Sequence, residues 1–159
     1  MNNQQQELKA IVCRALETFN NQETYLIKND LSERCICSKF AMHLTNALQD
    51  SEYSEYIVDV EYNRGMDGNE RSPKRANDKL ITVDLIVHKR GYDCNYGFDN
   101  LICIEMKKST DRRGCDADEE RLKEMCGSSS GFSYKIGFML LVNMKQHYIE
   151  IKNMFLLEG

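Results

Sequence analysis

The sequence predicts one α/β domain, a mixed central β-sheet flanked by helices. Three observations carry this reading. The 159 residues suit a single domain, and a hydrophobic share of 42% is enough for a packed core. Apolar residues recur every three or four positions as far as Leu48 and every second position after Tyr56. A later run, Tyr134 to Val142, is apolar on both faces, the pattern of a strand in the middle of a sheet.

The elements follow in order. Leu8, Ile11, Val12, Ala15, Leu16 and Phe19 have helical spacing, and one or two further turns extend toward Ile27. Residues 1–29 form a helical N-terminal extension to a single domain spanning 1–159. A second helix runs from Asp30 or Leu31 to about Leu48, with Ile36, Cys37, Phe40, Leu44, Ala47 and Leu48 as its apolar stripe. Tyr56 to Asn63 reads as a strand. Arg64 to Lys79 is a polar loop holding the single proline, Pro73, and loops of that length are often functional. Leu80 to His88 is a β-branched strand, Gly91 to Asn100 a turn region, and Leu101 to Lys107 the next strand. After the loop Lys108 to Asp118 comes a short helix, Glu119 to Cys126. Ser128 to Gly131 is a link, and His147 to Lys152 is the last strand.

Composition narrows the function classes. The net charge of −4 and pI near 5.4 exclude a protein that coats nucleic acid by bulk electrostatics, so phosphate binding would need a local basic patch. The longest mainly apolar run, Ile136 to Val142, is far short of the roughly 20 residues of a membrane helix. Met1 to Gln6 has no apolar block of the signal-peptide kind. The seven cysteines include one C-x-C, Cys35 and Cys37, and no C-x-x-C, so zinc has no support and small core residues are the ordinary reading. The expectation is a cytoplasmic protein with reduced thiols and no membrane association.

The chemistry concentrates on two strands. Thr82, Asp84, Ile86 and His88 share one face of the first, and Cys103, Glu105 and Lys107 share one face of the second. Three ionisable residues thus interrupt apolar strands. A lone carboxylate buried there costs several kcal/mol, which a divalent cation between two carboxylates offsets. Mg²⁺ or Mn²⁺ takes hard oxygen donors and completes its shell with water. Lys107 lies about 6 to 7 Å along the strand from Glu105 at a rise of roughly 3.3 Å per residue, in reach of a phosphate oxygen or an attacking water. Phosphodiester hydrolysis fits this set.

An Asp on one strand, then Glu-x-Lys on the next after a turn, resembles the PD-(D/E)XK signature of restriction-endonuclease-like nucleases. Here it reads Val83-Asp84 and Glu105-Met106-Lys107, with Val83 where the signature has proline. "DLIVHKRG" and "NLICIEMKKS" resemble the core of small bacterial members, "SERCICSKFAMHL" and "VDVEYNR" their upstream segments, and "YKIGFMLLV" a later core strand, so the likeness covers roughly Ser32 to Val142. The resemblance implies a restriction-endonuclease-like core within the order ααβββαββ. It implies a metal bound by Asp84 and Glu105, with the Met106 carbonyl as a further ligand and Glu33 completing the shell directly or through water. It further implies a nucleic-acid substrate, DNA before RNA, and a place as subunit of a larger assembly, for example in genome defence, or as a homodimer where both strands are cut together.

Other residues have two readings each. Glu33 lies at the centre of the helix stripe, within about 60° of its apolar members. Beside the metal role stands a helix-capping role with Asp30. Glu61 shares a strand face with Asp59 and Asn63, either near the site or solvated. His88, roughly 13 Å along the strand from Asp84, reads as a polar strand end, and Lys123 as a surface lysine. Arg64, Arg71, Lys74, Arg75, Lys79, Lys89 and Arg90 give the stretch 64–90 a net charge of +3, a nucleic-acid face or an ordinary solvated loop. Two rival functions stand beside the nuclease. One is a binding module that keeps the nuclease fold without catalysis. The other is an interaction scaffold in which Asp84, Glu105 and Lys107 are a structural ion cluster.

Overall fold

The structure, a computed structural model, describes residues 1–63, 82–90, 100–111, 113–128 and 131–157, together with the backbone of four short strand segments between 65 and 80. Helices α1 (Asn3–Gln22), α2 (Thr24–Lys28) and α3 (Glu33–Gln49) come first. The strands β1 (Ile57–Val60), β2 (Gly65–Asp67), β3 (Glu70–Ser72), β4 (Arg75–Ala76), β5 (Lys79–Leu80), β6 (Leu85–His88) and β7 (Asn100–Lys108) follow. Helix α4 (Cys115–Cys126) then precedes β8 (Ile136–Asn143) and β9 (Tyr148–Leu156).

The central sheet has five strands in the order β1-β6-β7-β8-β9, parallel between β7 and β8 and antiparallel elsewhere. The molecule is therefore α/β with a mixed sheet flanked by helices. One face of the sheet meets α1 and α3. There Leu85, Val87, Ile102, Ile104, Met106 and Phe138 pack with Leu8, Phe19, Phe40 and Leu44. The other face meets α4, where Ile86, Cys103 and Met139 pack with Leu122, Met125 and Cys126. Alternation along β6 and β7 sends odd and even positions to these two cores, each large buried side chain contributing about 1.5–3 kcal/mol.

Several expected boundaries are corrected. The strand expected over Leu80–His88 begins in the sheet only at Leu85, and Val83 turns into the α4-side core with Ile86. The expected strand over Tyr56–Asn63 is Ile57–Val60, because Glu61 adopts a left-handed φ of 51° that ends it. The loop Arg64–Lys79 carries two short antiparallel ribbons, β2-β3 and β4-β5. Their sequences lack apolar alternation, which is why they read as loop. The strand apolar on both faces, β8, lies between β7 and β9, with β7 the middle strand. The last strand runs on to Leu156. Pro73 and all of the Gly91–Asn100 turn but Asn100 lie outside the described residues. Among the described residues, no helix is long and apolar enough to cross a membrane.

Candidate active site

Asp84 and Glu105 come together through strand register. The β6–β7 ladder ends at Leu85 opposite Ile104. One step beyond that pair Asp84 lies beside Glu105 and shares a hydrogen bond with it. Where the backbone ladder would continue, the Asp84 carboxylate substitutes: its Oδ2 accepts a hydrogen bond of 2.8 Å from the Met106 N–H. The Asp84 carbonyl accepts from the Glu61 N–H at 2.9 Å and faces the Cys37 thiol at 3.8 Å. Burial and the Asp84 charge push the Cys37 thiol well above the usual range.

Glu105 is 3% exposed. Burial, then the neighbouring Asp84 charge, pushes its carboxyl up to about 9, against the pull of Arg121. A hydrogen bond shared with Asp84 adds to the rise. Two adjoining carboxyl groups ionise together only at a cost that a shared proton or a cation relieves. Glu105 Oε1 accepts a hydrogen bond of 2.8 Å from Arg121 Nε.

Lys107 lies on the same face of β7. Its Nζ is 3.1 Å from Asp118 Oδ2 on α4. Burial opposes the ammonium charge, but the Asp118 contact, with Glu33 and Asp111, raises its pKa above the usual lysine range. Asp118 also binds the Arg121 guanidinium, one turn along α4. A chain of charges thus runs from Asp84 through Glu105, Arg121 and Asp118 to Lys107.

Glu33 is the first residue of α3, and Ser32, not Asp30, is the N-cap, accepting from the Cys35 N–H at 3.2 Å. The capping box with Asp30 is therefore overturned. Asp30 sits at a left-handed φ of 53° and pairs with Lys108 Nζ at 2.8 Å. Glu33 instead reaches across to β7, where its Oε2 accepts from the Lys108 N–H at 3.0 Å. Burial raises the Glu33 pKa, opposed by that hydrogen bond and by Lys107. Glu33 and Asp84 both line a cavity of about 100 Å³ whose other walls are Arg34, Cys37, Val60 and Glu61.

The structure thus brings Glu33, Asp84, Glu105 and Lys107 into one region and adds Asp118 and Arg121, which sequence reasoning missed. Their signal was weak: Asp118, Arg121, Leu122 and Met125 share a helix face, but α4 is mostly charged. Lys123, the residue singled out on that helix, is exposed and pairs with Glu120. Glu61 lines the cavity and forms a two-point ion pair with Arg34. His88 is buried, its Nε2 2.8 Å from Asp59 Oδ2 and its ring 4.6 Å from the Tyr62 ring, away from Asp84. Of the basic stretch, Lys89 pairs with Glu55 and Arg90 with Asp59, which lowers the Asp59 pKa. Arg64 and Lys74, and the side chains of Arg71, Arg75 and Lys79, lie outside the described residues.

A hard divalent cation was the expected cofactor. Among the described residues, no group of three or more His, Cys, Asp and Glu stands together in metal-ligating geometry. The donor chemistry at Asp84 and Glu105 nevertheless fits, because Mg²⁺ is held by as few as one or two carboxylates with water and substrate oxygens completing the shell. Burial and, after it, the Asp84 charge raise Glu105, and a bound cation would favour its ionised form against both. No family model matches the chain, and neither does any curated protein or solved structure.

Proposed function

We infer that the chain is a metal-dependent nuclease with a restriction-endonuclease-like core, acting on nucleic acid, DNA before RNA, in a reducing cytoplasmic compartment. The carrying observation is the Asp84–Glu105 pair, two carboxyl groups held side by side at the end of the β6–β7 ladder, with Glu105 buried and pushed up to about 9. Buried like charges of this kind concentrate at functional sites. Asp84 and Glu105 are the ligands for Mg²⁺ or Mn²⁺, joined by the Met106 carbonyl and by Glu33, directly or through water. When bound, the ion polarises the phosphoryl group and lowers the pKa of a coordinated water. Lys107 orients the attacking water and stabilises charge on the phosphoryl oxygens. In the metal-free chain the Lys107 ammonium pairs with Asp118 at 3.1 Å. Nucleic acid is the partner of this reading. A protein partner or a second copy supplies the contacts that a net charge of −4 does not.

Nicking of supercoiled plasmid and cutting of single-stranded oligonucleotides, with Mg²⁺ or Mn²⁺, tests the reading. Wild type is expected to cut only with metal, and Glu105→Ala to lose both metal binding and cleavage. Wild type that binds metal yet cuts nothing, alone or beside a partner, contradicts it.

The non-catalytic binding module has a specific observation in its favour. Arg121 occupies Glu105 and Asp118 occupies Lys107, so two of the three motif residues already have an oppositely charged partner inside the chain. Absence of metal binding in calorimetry would put that reading first.

A further inference from the structure

The Arg121 guanidinium is bound at two points, both carboxylates. Its Nε donates to Glu105 Oε1 at 2.8 Å, and its terminal nitrogen donates to Asp118. Glu105 is 4% exposed as a side chain, whereas Arg121 is 33% exposed. The carboxylate is therefore fixed in the core of the site while the cation that neutralises it lies partly in solvent. Arg121 also approaches from α4, an element separate from the strands carrying the motif. Its partner Asp118 lies one helical turn back and holds Lys107 as well.

We propose that Arg121 is an exchangeable counter-ion: it holds Glu105 in the metal-free chain, leaves that carboxylate when a divalent cation binds there, and, still tethered to Asp118, becomes a ligand for the substrate phosphate. The inference rests on the metal-site reading of Asp84 and Glu105. Its physical basis is charge balance. With every group ionised, Asp84, Glu105 and Asp118 against Arg121 and Lys107 leave the cluster net negative, and a divalent ion added to it makes it net positive. Release of the guanidinium from Glu105 frees a planar fork of donors suited to two phosphate oxygens. Binding of substrate then restores the balance. The device couples metal entry to substrate binding with no movement of the backbone.

The test uses the wild-type protein and the NMR resonance of the Arg121 Nε–H. Titration with Mg²⁺ is expected to move both the Met106 amide, which reports on Asp84, and the Arg121 Nε–H. Dimethyl phosphate, the smallest phosphodiester anion, should then move the Arg121 resonance again, but not when added before Mg²⁺. If Mg²⁺ moves the Met106 amide and leaves Arg121 in place, the exchange is overturned and the metal site stands. If Mg²⁺ moves neither, both are overturned. If dimethyl phosphate moves Arg121 equally without Mg²⁺, or never, the phosphate role is overturned. A second measurement removes the competitor. Arg121→Met should bind Mn²⁺ roughly tenfold more tightly in calorimetry, the size of a one-unit change in charge pairing, and equal or weaker binding by the folded variant overturns the competition. Should that variant fail to fold, the wild-type titration decides alone.

Discussion

Glu105 and Lys107 stand two positions apart on β7, and these two and Glu33 are separable by what each loses. Lys107 is not a ligand for a cation. Lys107→Met keeps much of the apolar stem and removes the charge, so Mn²⁺ should still bind in calorimetry, more tightly if anything. Cleavage should fall by about 10² to 10³, the usual worth of a preorganised charge at a transition state. Glu33→Gln keeps an oxygen to accept the Lys108 N–H. Thermal unfolding should therefore shift by no more than the equivalent of about 1 kcal/mol, while Mn²⁺ affinity falls. An unchanged affinity would reduce Glu33 to a tie between α3 and β7. The raised carboxyl of Glu105 makes stability depend on pH. Its folded pKa lies above the unfolded value, so between the ordinary carboxylate range and about 9 the folded chain holds more protons than the unfolded one. Stability of the metal-free protein should therefore fall as pH rises through that window. Denaturant midpoints should show the slope, and Glu105→Gln should flatten it. Asp84, Glu105 and Lys107 were legible in the sequence because each breaks an apolar strand at a position of known face, and Glu33 because it lies in the apolar stripe of a helix. Arg121 and Asp118 were not, because a charge on a charged helix gives no such contrast.

At the scale of elements, the site depends on how closely α4 lies on the sheet. Gly137 in β8 sits beneath it: a methyl group there would stand 3.0 Å from Cys126 Sγ and 3.2 Å from Cys103 Sγ. Both sulfurs belong to buried residues. Gly137→Ala should cost about 1–3 kcal/mol, the usual range for an overpacked core, read as a lower denaturant midpoint. A neutral result would mean that α4 shifts outward without penalty, and the Asp118–Lys107 contact would then be adjustable too. Periodicity revealed α1 and α3 because their apolar residues recur every three or four positions, and β7 and β8 because theirs are nearly continuous. It overextended β6, because Val83 is apolar yet turns into the opposite core once the strand has ended. The start of α3, expected at Asp30 or Leu31, lies at Glu33. Asp30 and Ser32 both have capping side chains, and Ser32 is the one used, accepting from the Cys35 N–H, while Asp30 pairs with Lys108.

At the scale of the molecule, two helices on one face and one on the other fix a five-stranded mixed sheet whose middle strand, β7, carries Glu105 and Lys107. The α/β class and the flanking helices followed from the change of apolar period. The strand order did not, since parallel pairing of β7 with β8 arises from the α4 crossover and leaves no mark within either strand. The central claim is that Asp84 and Glu105 are built around a divalent cation. Its most direct test is a crystal soaked in Mn²⁺ and measured at the manganese edge. The account predicts an anomalous peak between the two carboxylates, bonded to both, with the Arg121 guanidinium withdrawn from Glu105. A crystal that binds no Mn²⁺ there, with Arg121 still on Glu105, would contradict it and leave the pair a structural ion cluster.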